Sequence, residues 1–260
     1  MKKYWSVAKC SLQVTLTYPM TTIIHILISL ISFVLMLNLW NSIFHGRSTI
    51  AGYQWNEMLA YLLIVFIINT DVNSEYRCAK KIINGSIAMT LVKPISHSKY
   101  TLAEIGSSIV FTSTFNLMIG LLVSIFMNVY ITSNIIVIIF FIVSFINALL
   151  IKYLIVYSSS LLSFWTHNVQ GVMWTRVAVV SFFSGALIPL DFLPTWLKEL
   201  CELLPFQTII NTPIKIYLAK INYTEMLILT IIQFLWILVF YIIVKIVFRY
   251  GLKKVNINGG

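Results

Sequence analysis

The chain predicts an all-α integral membrane protein with six transmembrane helices, on three observations. Of its 260 residues 59% are hydrophobic and only 10% charged, which is more apolar side chain than a soluble domain of that size can hide in one core. Six apolar runs, at residues 22–44, 55–70, 105–130, 135–157, 172–190 and 226–248, are taken as crossings of about 30 Å of hydrocarbon in helical form. The polar interval at 71–104 concentrates Arg77, Lys80, Lys81, Lys93 and Lys99. Such a cluster between apolar runs marks the side of the membrane that keeps Lys and Arg, the cytoplasmic side.

Taken in order, residues 1–20 form an interface helix. Trp5, Ala8, Leu12 and Thr15 or Leu16 recur at helical spacing, with Lys2, Lys3, Lys9 and Gln13 elsewhere on the wheel, as suits a helix lying in the cytoplasmic interface. No short apolar region with a small-residue cleavage site precedes the first long run, so the segment is read as retained.

In the polar interval at 71–104, a first helix should end at Asn84-Gly85, since glycine readily takes the left-handed conformation found past helix C-termini. Ser86 can cap IAMTLVK, which Pro94 stops, and T-L-A-E at 101–104 offers a capping box for the next helix. A solvated linker is the plain alternative for this interval. Further on, Lys152 and Arg176 sit close enough to the cytoplasmic ends of their spans to snorkel, with pore-facing roles as the alternative. Ser184-Gly185-Ala186, late in the fifth run, would permit close helix approach, within the chain or across a dimer.

Residues 189–222 are too polar to cross and too apolar for a free loop. Pro194 and Pro205 bracket a short helix whose Trp196, Leu197, Leu200, Leu203 and Leu204 oppose Lys198, Glu199 and Glu202, and Pro213 breaks or starts a second. Two pieces dipping into the outer leaflet, or a packed extracellular hairpin, fit this pattern. Six crossings put both termini in the cytoplasm and only Arg47, Lys198, Lys215 and Lys220 of the 18 basic residues outside. Cys201 falls outside as well. The whole chain, 1–260, reads as one membrane domain without an internal repeat.

Several chemistries lack their residues. No glycine satisfies the G-x-x-x-x-G-K-[ST] spacing that cradles phosphate, H-E-x-x-H and G-x-S-x-G are missing, and His25, His45, His97 and His167 are far apart. Cys10, Cys78 and Cys201 show neither disulfide nor metal-ligand spacing. Neither catalysis nor a bound metal is expected. The net charge of +10 comes without a nucleic-acid signature and is assigned to anionic lipid headgroups. All eight acidic residues lie at or beyond span ends, which argues against an ion-coupled transporter with a carboxylate at the bilayer centre.

Two motifs carry a resemblance. NGSIAMTLVKP resembles the I-x-x-G-x-I-x-x-x-L-x-[RK]-P pattern between spans two and three of ABC-2 type export permeases, and SGALIPLDFLPTWL followed by LLPF and TP-I-K-IYLAK is the second match. The likeness covers nearly the whole chain and is closest to the daunorubicin-resistance-like subgroup. It implies a dimer with a second copy or a related permease, and a separate ATP-binding-cassette ATPase that carries ATP and Mg and docks on a coupling helix and the N-terminal helix. It also implies re-entrant helices capping the outer end. Carried over, Gly85, Ser86, Ile87, Met89, Leu91, Lys93 and Pro94 form the docking element, with Lys93 standing where arginine is frequent. Pro189, Asp191, Pro194, Trp196, Pro205, Phe206 and Pro213 form the outer cap. The implied function is the permease subunit of an ATP-driven exporter in a prokaryotic cell (inner) membrane. The competing readings are an ion-coupled secondary transporter and a membrane scaffold or sensor.

Overall fold

A computed structural model describes residues 2–17, 19–68, 73–92, 95–127 and 129–254. They form eleven α-helices: α1 (Lys2–Thr17), α2 (Pro19–Phe44), α3 (Trp55–Ile68), α4 (Asn73–Ile83), α5 (Ile87–Leu91), α6 (His97–Phe126), α7 (Ile135–Leu161), α8 (Val169–Phe183), α9 (Thr195–Leu203), α10 (Asn211–Tyr217) and α11 (Tyr223–Leu252). Between α2 and α3 runs a small antiparallel hairpin of β1 (Thr49–Ile50) and β2 (Tyr53–Gln54), turned by Ala51 and Gly52 at positive φ. Short 3₁₀ turns occupy Leu162–Phe164, Leu190–Phe192 and Pro205–Thr208.

Among the described residues four helices are long and apolar enough to cross a membrane: Ile26–Phe44, His97–Phe126, Ile135–Phe164 and Tyr223–Leu252. The chain is therefore a multi-pass membrane protein. The fifth apolar run gives a shorter helix than its composition suggests. With 14 and 15 residues, α3 and α8 are about 21 and 22 Å long. The fifth stops at Phe183 instead of continuing to residue 190, because Gly185 turns the chain with φ +88.

The four long helices present unpartnered apolar side chains outward, among them Leu35, Leu122, Ile139 and Leu238, as a lipid-facing surface does. Inside, α3 is the axle of the larger core. Met58, Tyr61, Ile64 and Ile68 are buried against α2, α7 and the Ile209–Ile210–Ile214 stretch. α2 runs antiparallel to it, with Phe33 on Phe66 at 5.0 Å and Phe44 on Trp55 at 5.6 Å. Polar side chains fix the register: Asn116 Nδ2 donates to Phe66 O at 2.9 Å, and Gln233 Nε2 donates to both Ser144 O and Thr208 O. A second core joins Cys78, Ile82 and Ile87 to Ile105, Tyr157, Leu161 and Val244.

The first helix leaves Trp5 and Leu16 67% and 60% exposed. It buries the face of Tyr4, Ala8 and Ser11 along α6: Ser11 Oγ donates to Glu104 O at 2.9 Å, and the Ser96 N–H donates to Tyr4 Oη at 3.2 Å. Small residues at 8 and 11 let the two backbones approach, leaving Trp5 for the membrane interface. The third long helix begins at His97 rather than Thr101. Thr101 is interior, its hydroxyl bonded to the His97 and Ser98 carbonyls, and Glu104 turns to Lys81 instead of closing a capping box.

Candidate functional site

The α4–α5 connection is built as the sequence predicts up to Gly85. That residue sits at φ +69, with the Gly85 N–H donating to Ile82 O and the Asn84 N–H to Lys80 O, which closes α4. A β-carbon there would meet open space, so conformation alone requires glycine. Gly85→Val is expected to cost about 1 kcal/mol or more, measured as a fall in the thermal midpoint of the detergent-solubilised protein, with Gly85→Ala falling less.

Ser86 does not cap α5. Its φ and ψ are already helical, the Ala88 and Met89 amides bond the Gly85 and Ser86 carbonyls, and its Oγ donates backward to Lys81 O. The tight turn at Gly85 starts the helix one residue early, so the Ser86 side chain points away from the orphan amides. Along α5 one face is an anchor and the other is free. Ile87 is 2% exposed within the second core, so it is not an apolar side chain presented outward, and the Thr90 hydroxyl is buried on Ile87 O. Met89, Leu91 and Val92 are 71%, 40% and 86% exposed. Lys93 and Pro94 lie outside the described residues.

Beneath α5, ion pairs that the sequence reading missed brace the helix ends. Glu75, at the start of α4, is completely buried; Arg176 of α8 donates to it twice, at 3.1 and 2.7 Å, and Ser159 Oγ of α7 donates at 2.5 Å. Arg176 therefore pairs rather than snorkels. Near the other end of α4, Lys81 meets Glu104 of α6 at 2.6 Å. Lys152 does not snorkel either: 7% exposed, it donates to Ile68 O at 2.6 Å and closes the C-terminal end of α3, where carbonyls lack helical partners. α5 is seated on the same platform, since Thr90 Oγ1 approaches His97 Nδ1 at 3.5 Å and the His97 ring stacks on Phe248 of α11 at 4.7 Å. Burial pushes the Cys78 thiol up to about 11, leaving it unreactive at neutral pH.

At the opposite end of the bundle, residues 189–222 divide into an exposed and a buried part. Pro189 precedes the 3₁₀ turn that holds Asp191, and Pro194 precedes α9. Asp191 accepts from Tyr53 Oη at 2.7 Å and pairs with Lys198 at 2.7 Å. Burial would raise its carboxyl, but hydrogen bonds from Lys198 and Tyr53 outweigh that and hold it below the usual range. Its contribution to stability is thus complete above the ordinary carboxylate pKa and is lost only as pH falls through the lowered value. Lys215 pairs with Glu202, and Lys220 with Glu57, its ammonium 3.8 Å from the Tyr53 ring centroid.

α9 exposes Trp196 and Leu203 while turning Cys201, fully buried, inward. Pro205 begins the next turn, Phe206 packs on Phe183 at 6.2 Å, and Pro213 sits in the first turn of α10, where its missing N–H leaves no bond unmade. Gln207, Thr208, Asn211 and Thr212 are buried against α7 and α11.

Ser184, Gly185 and Ala186 are the hinge between α8 and this segment, not a stripe on a span. Ser184 and Ala186 are buried, Tyr61 Oη donates to Gly185 O at 2.6 Å, and a β-carbon on Gly185 would approach that hydroxyl to 2.7 Å. Their close packing is with α3 of the same chain. Among the described residues no group of His, Cys, Asp and Glu is arranged to hold a metal.

No curated protein matches the chain. A family model described as ABC-2 family transporter protein matches residues 30–259. The match takes in α3 to α11 and most of α2, with both the α4–α5 connection and the outer segment. The chain belongs to the ABC-2 transporter family, the membrane permeases of ABC transporters.

Proposed function

We propose that this permease is the membrane-spanning subunit of an ATP-driven exporter, working as a dimer with a second copy or a related permease. A separate ABC ATPase, which carries ATP and Mg, docks on α5 and α1. The observation that carries this reading is α5 itself, a helix anchored through Ile87 and Thr90 that leaves Met89, Leu91 and Val92 uncovered. Three apolar side chains left exposed together on so short a helix favour a protein partner over open water. The two sequence motifs support membership of the daunorubicin-resistance-like subgroup and a prokaryotic cell membrane. In this reading α3 and α8 complete six crossings. α3 is wrapped by other helices and need not match the lipid thickness, and irregular backbone at membrane depth is tolerated where protein covers it. The Gly185 turn, the inserted α10 and the Asp191–Lys198 network form the outer cap.

The test is co-expression with the ATPase of the same exporter. The two are expected to copurify and to hydrolyse ATP together, whereas the permease alone shows no hydrolysis; failure to copurify in mild detergent refutes the docking. Topology is checked separately in a cysteine-free background. Cysteine placed at the exposed Glu199 should react with an impermeant thiol reagent from outside, and cysteine at the exposed Asn84 only after the membrane is opened. Native Cys201 is unsuited to this because it is buried.

A further inference from the structure

A groove of about 440 Å³ lies between α6 and α7, bounded by Leu102, Gly106, Ser113 and Leu117 on one helix and by Phe145 and Tyr153 on the other. From Leu102 to Leu117 it follows α6 for about 22 Å, an elongated shape for an extended chain. Its rim is lipid-facing, with Val110 and Ile146 54% and 52% exposed, so it opens sideways into the bilayer. Its floor contains a hydroxyl without a partner: Ser113 is 2% exposed and its Oγ makes no hydrogen bond. Gly106 contributes no side chain, which deepens the groove.

Lys99 stands on the same stripe of α6 as Leu102, Gly106 and Ser113, spaced at three, seven and fourteen residues. It is exposed, and no ion pair to it is formed among the described residues. An apolar slot with a lysine at one end has the charge layout of an anionic phospholipid.

We propose that this groove is a specific site for one anionic phospholipid of the leaflet next to α4 and α5, its acyl chain lying between α6 and α7 and its phosphate against Lys99. Basic positions at the ends of membrane helices hold acidic headgroups in this manner. The site depends on neither the ATPase nor the cargo.

The purified full chain, released from mild detergent into native mass spectrometry, is titrated with phosphatidylglycerol and with phosphatidylcholine of the same acyl chains. Wild type should retain one phospholipid and prefer the anionic one about fivefold, the size of one lysine–headgroup contact. Lys99→Gln should bring that preference to about one while the adduct persists. Gly106→Leu should remove the adduct. A β-carbon at 106 meets only the Leu102 side chain, at 3.6 Å, and leucine favours helix over glycine, so this variant fills the slot without breaking the fold. Equal retention of the two lipids by wild type, or an undiminished adduct in Gly106→Leu, overturns the proposal. So does a change of oligomeric state in Gly106→Leu with the adduct intact, which would give the groove to a second copy.

Discussion

Leu91→Asp should release the ATPase from the membrane fraction and abolish ATP-dependent transport, while the permease still inserts and stays folded. Leu91 and Met89, 40% and 71% exposed, lie on the free face of α5 and belong to neither buried core, so a charge on either should leave the isolated subunit folded. In an apolar socket on the partner, however, an uncompensated carboxylate costs several kcal/mol. Each 1.4 kcal/mol is tenfold in affinity, so retention should fall by at least about a hundredfold. Met89→Asp should behave alike. The informative control is Ile87→Ala, which empties a buried site and should cost about 2–5 kcal/mol of permease stability. A Leu91→Asp permease that keeps its ATPase and transports normally would reduce α5 to a linker. Equal loss of thermal stability in Leu91→Asp and Ile87→Ala would show instead that the free face is not free.

What the sequence made legible follows from how far apart the interacting groups lie. Gly85, Pro194 and Pro205 act on their own backbone and immediate neighbours, so the ends of α4 and α9 could be placed from local chemistry alone. The long spans were equally legible, because hydropathy is additive along a helix. Capping went wrong where two local solutions competed. Ser86 could accept from a helix amide, but the Gly85 turn carries it past that geometry; Thr101 and Glu104 match a capping box, but Lys81 takes the carboxylate. The length of the fifth helix was misjudged because Ser184-Gly185-Ala186 has the composition of a packing stripe, whereas Gly185 turns the chain and Tyr61, reaching from α3, bonds that turn. Least legible was the bracing of the helix ends. Glu75 and Arg176 are 101 residues apart, and nothing near either one in sequence announces the other. The one available signal was a carboxylate on the first turn of a helix otherwise rich in cations.

That carboxylate supplies the second large expected effect. Glu75→Ala should lower the stability of the solubilised permease by about 3–5 kcal/mol, because it strands the Arg176 guanidinium where only 13% of its side chain reaches solvent. Arg176→Ala should do the same to a carboxylate that is 1% exposed. The double variant should cost clearly less than the two singles together, since neither charge is then left alone. Replacing both by uncharged side chains of similar size, Glu75→Gln with Arg176→Met, should restore much of the loss. Thermal unfolding of wild type and the four variants in one detergent reads these differences directly. Strict additivity would mean that the two groups do not stabilise each other. Transport adds what stability cannot: the double variant keeps α4 packed through Cys78 and Ile82 but frees it from α8, the helix that leads into the Gly185 turn and residues 189–222. If α4 conveys the movement of a docked ATPase to α8, the double variant should retain its ATPase and hydrolyse ATP while transport falls at least about tenfold. Transport at the wild-type rate in that variant would confine the Glu75–Arg176 pair to holding the bundle together.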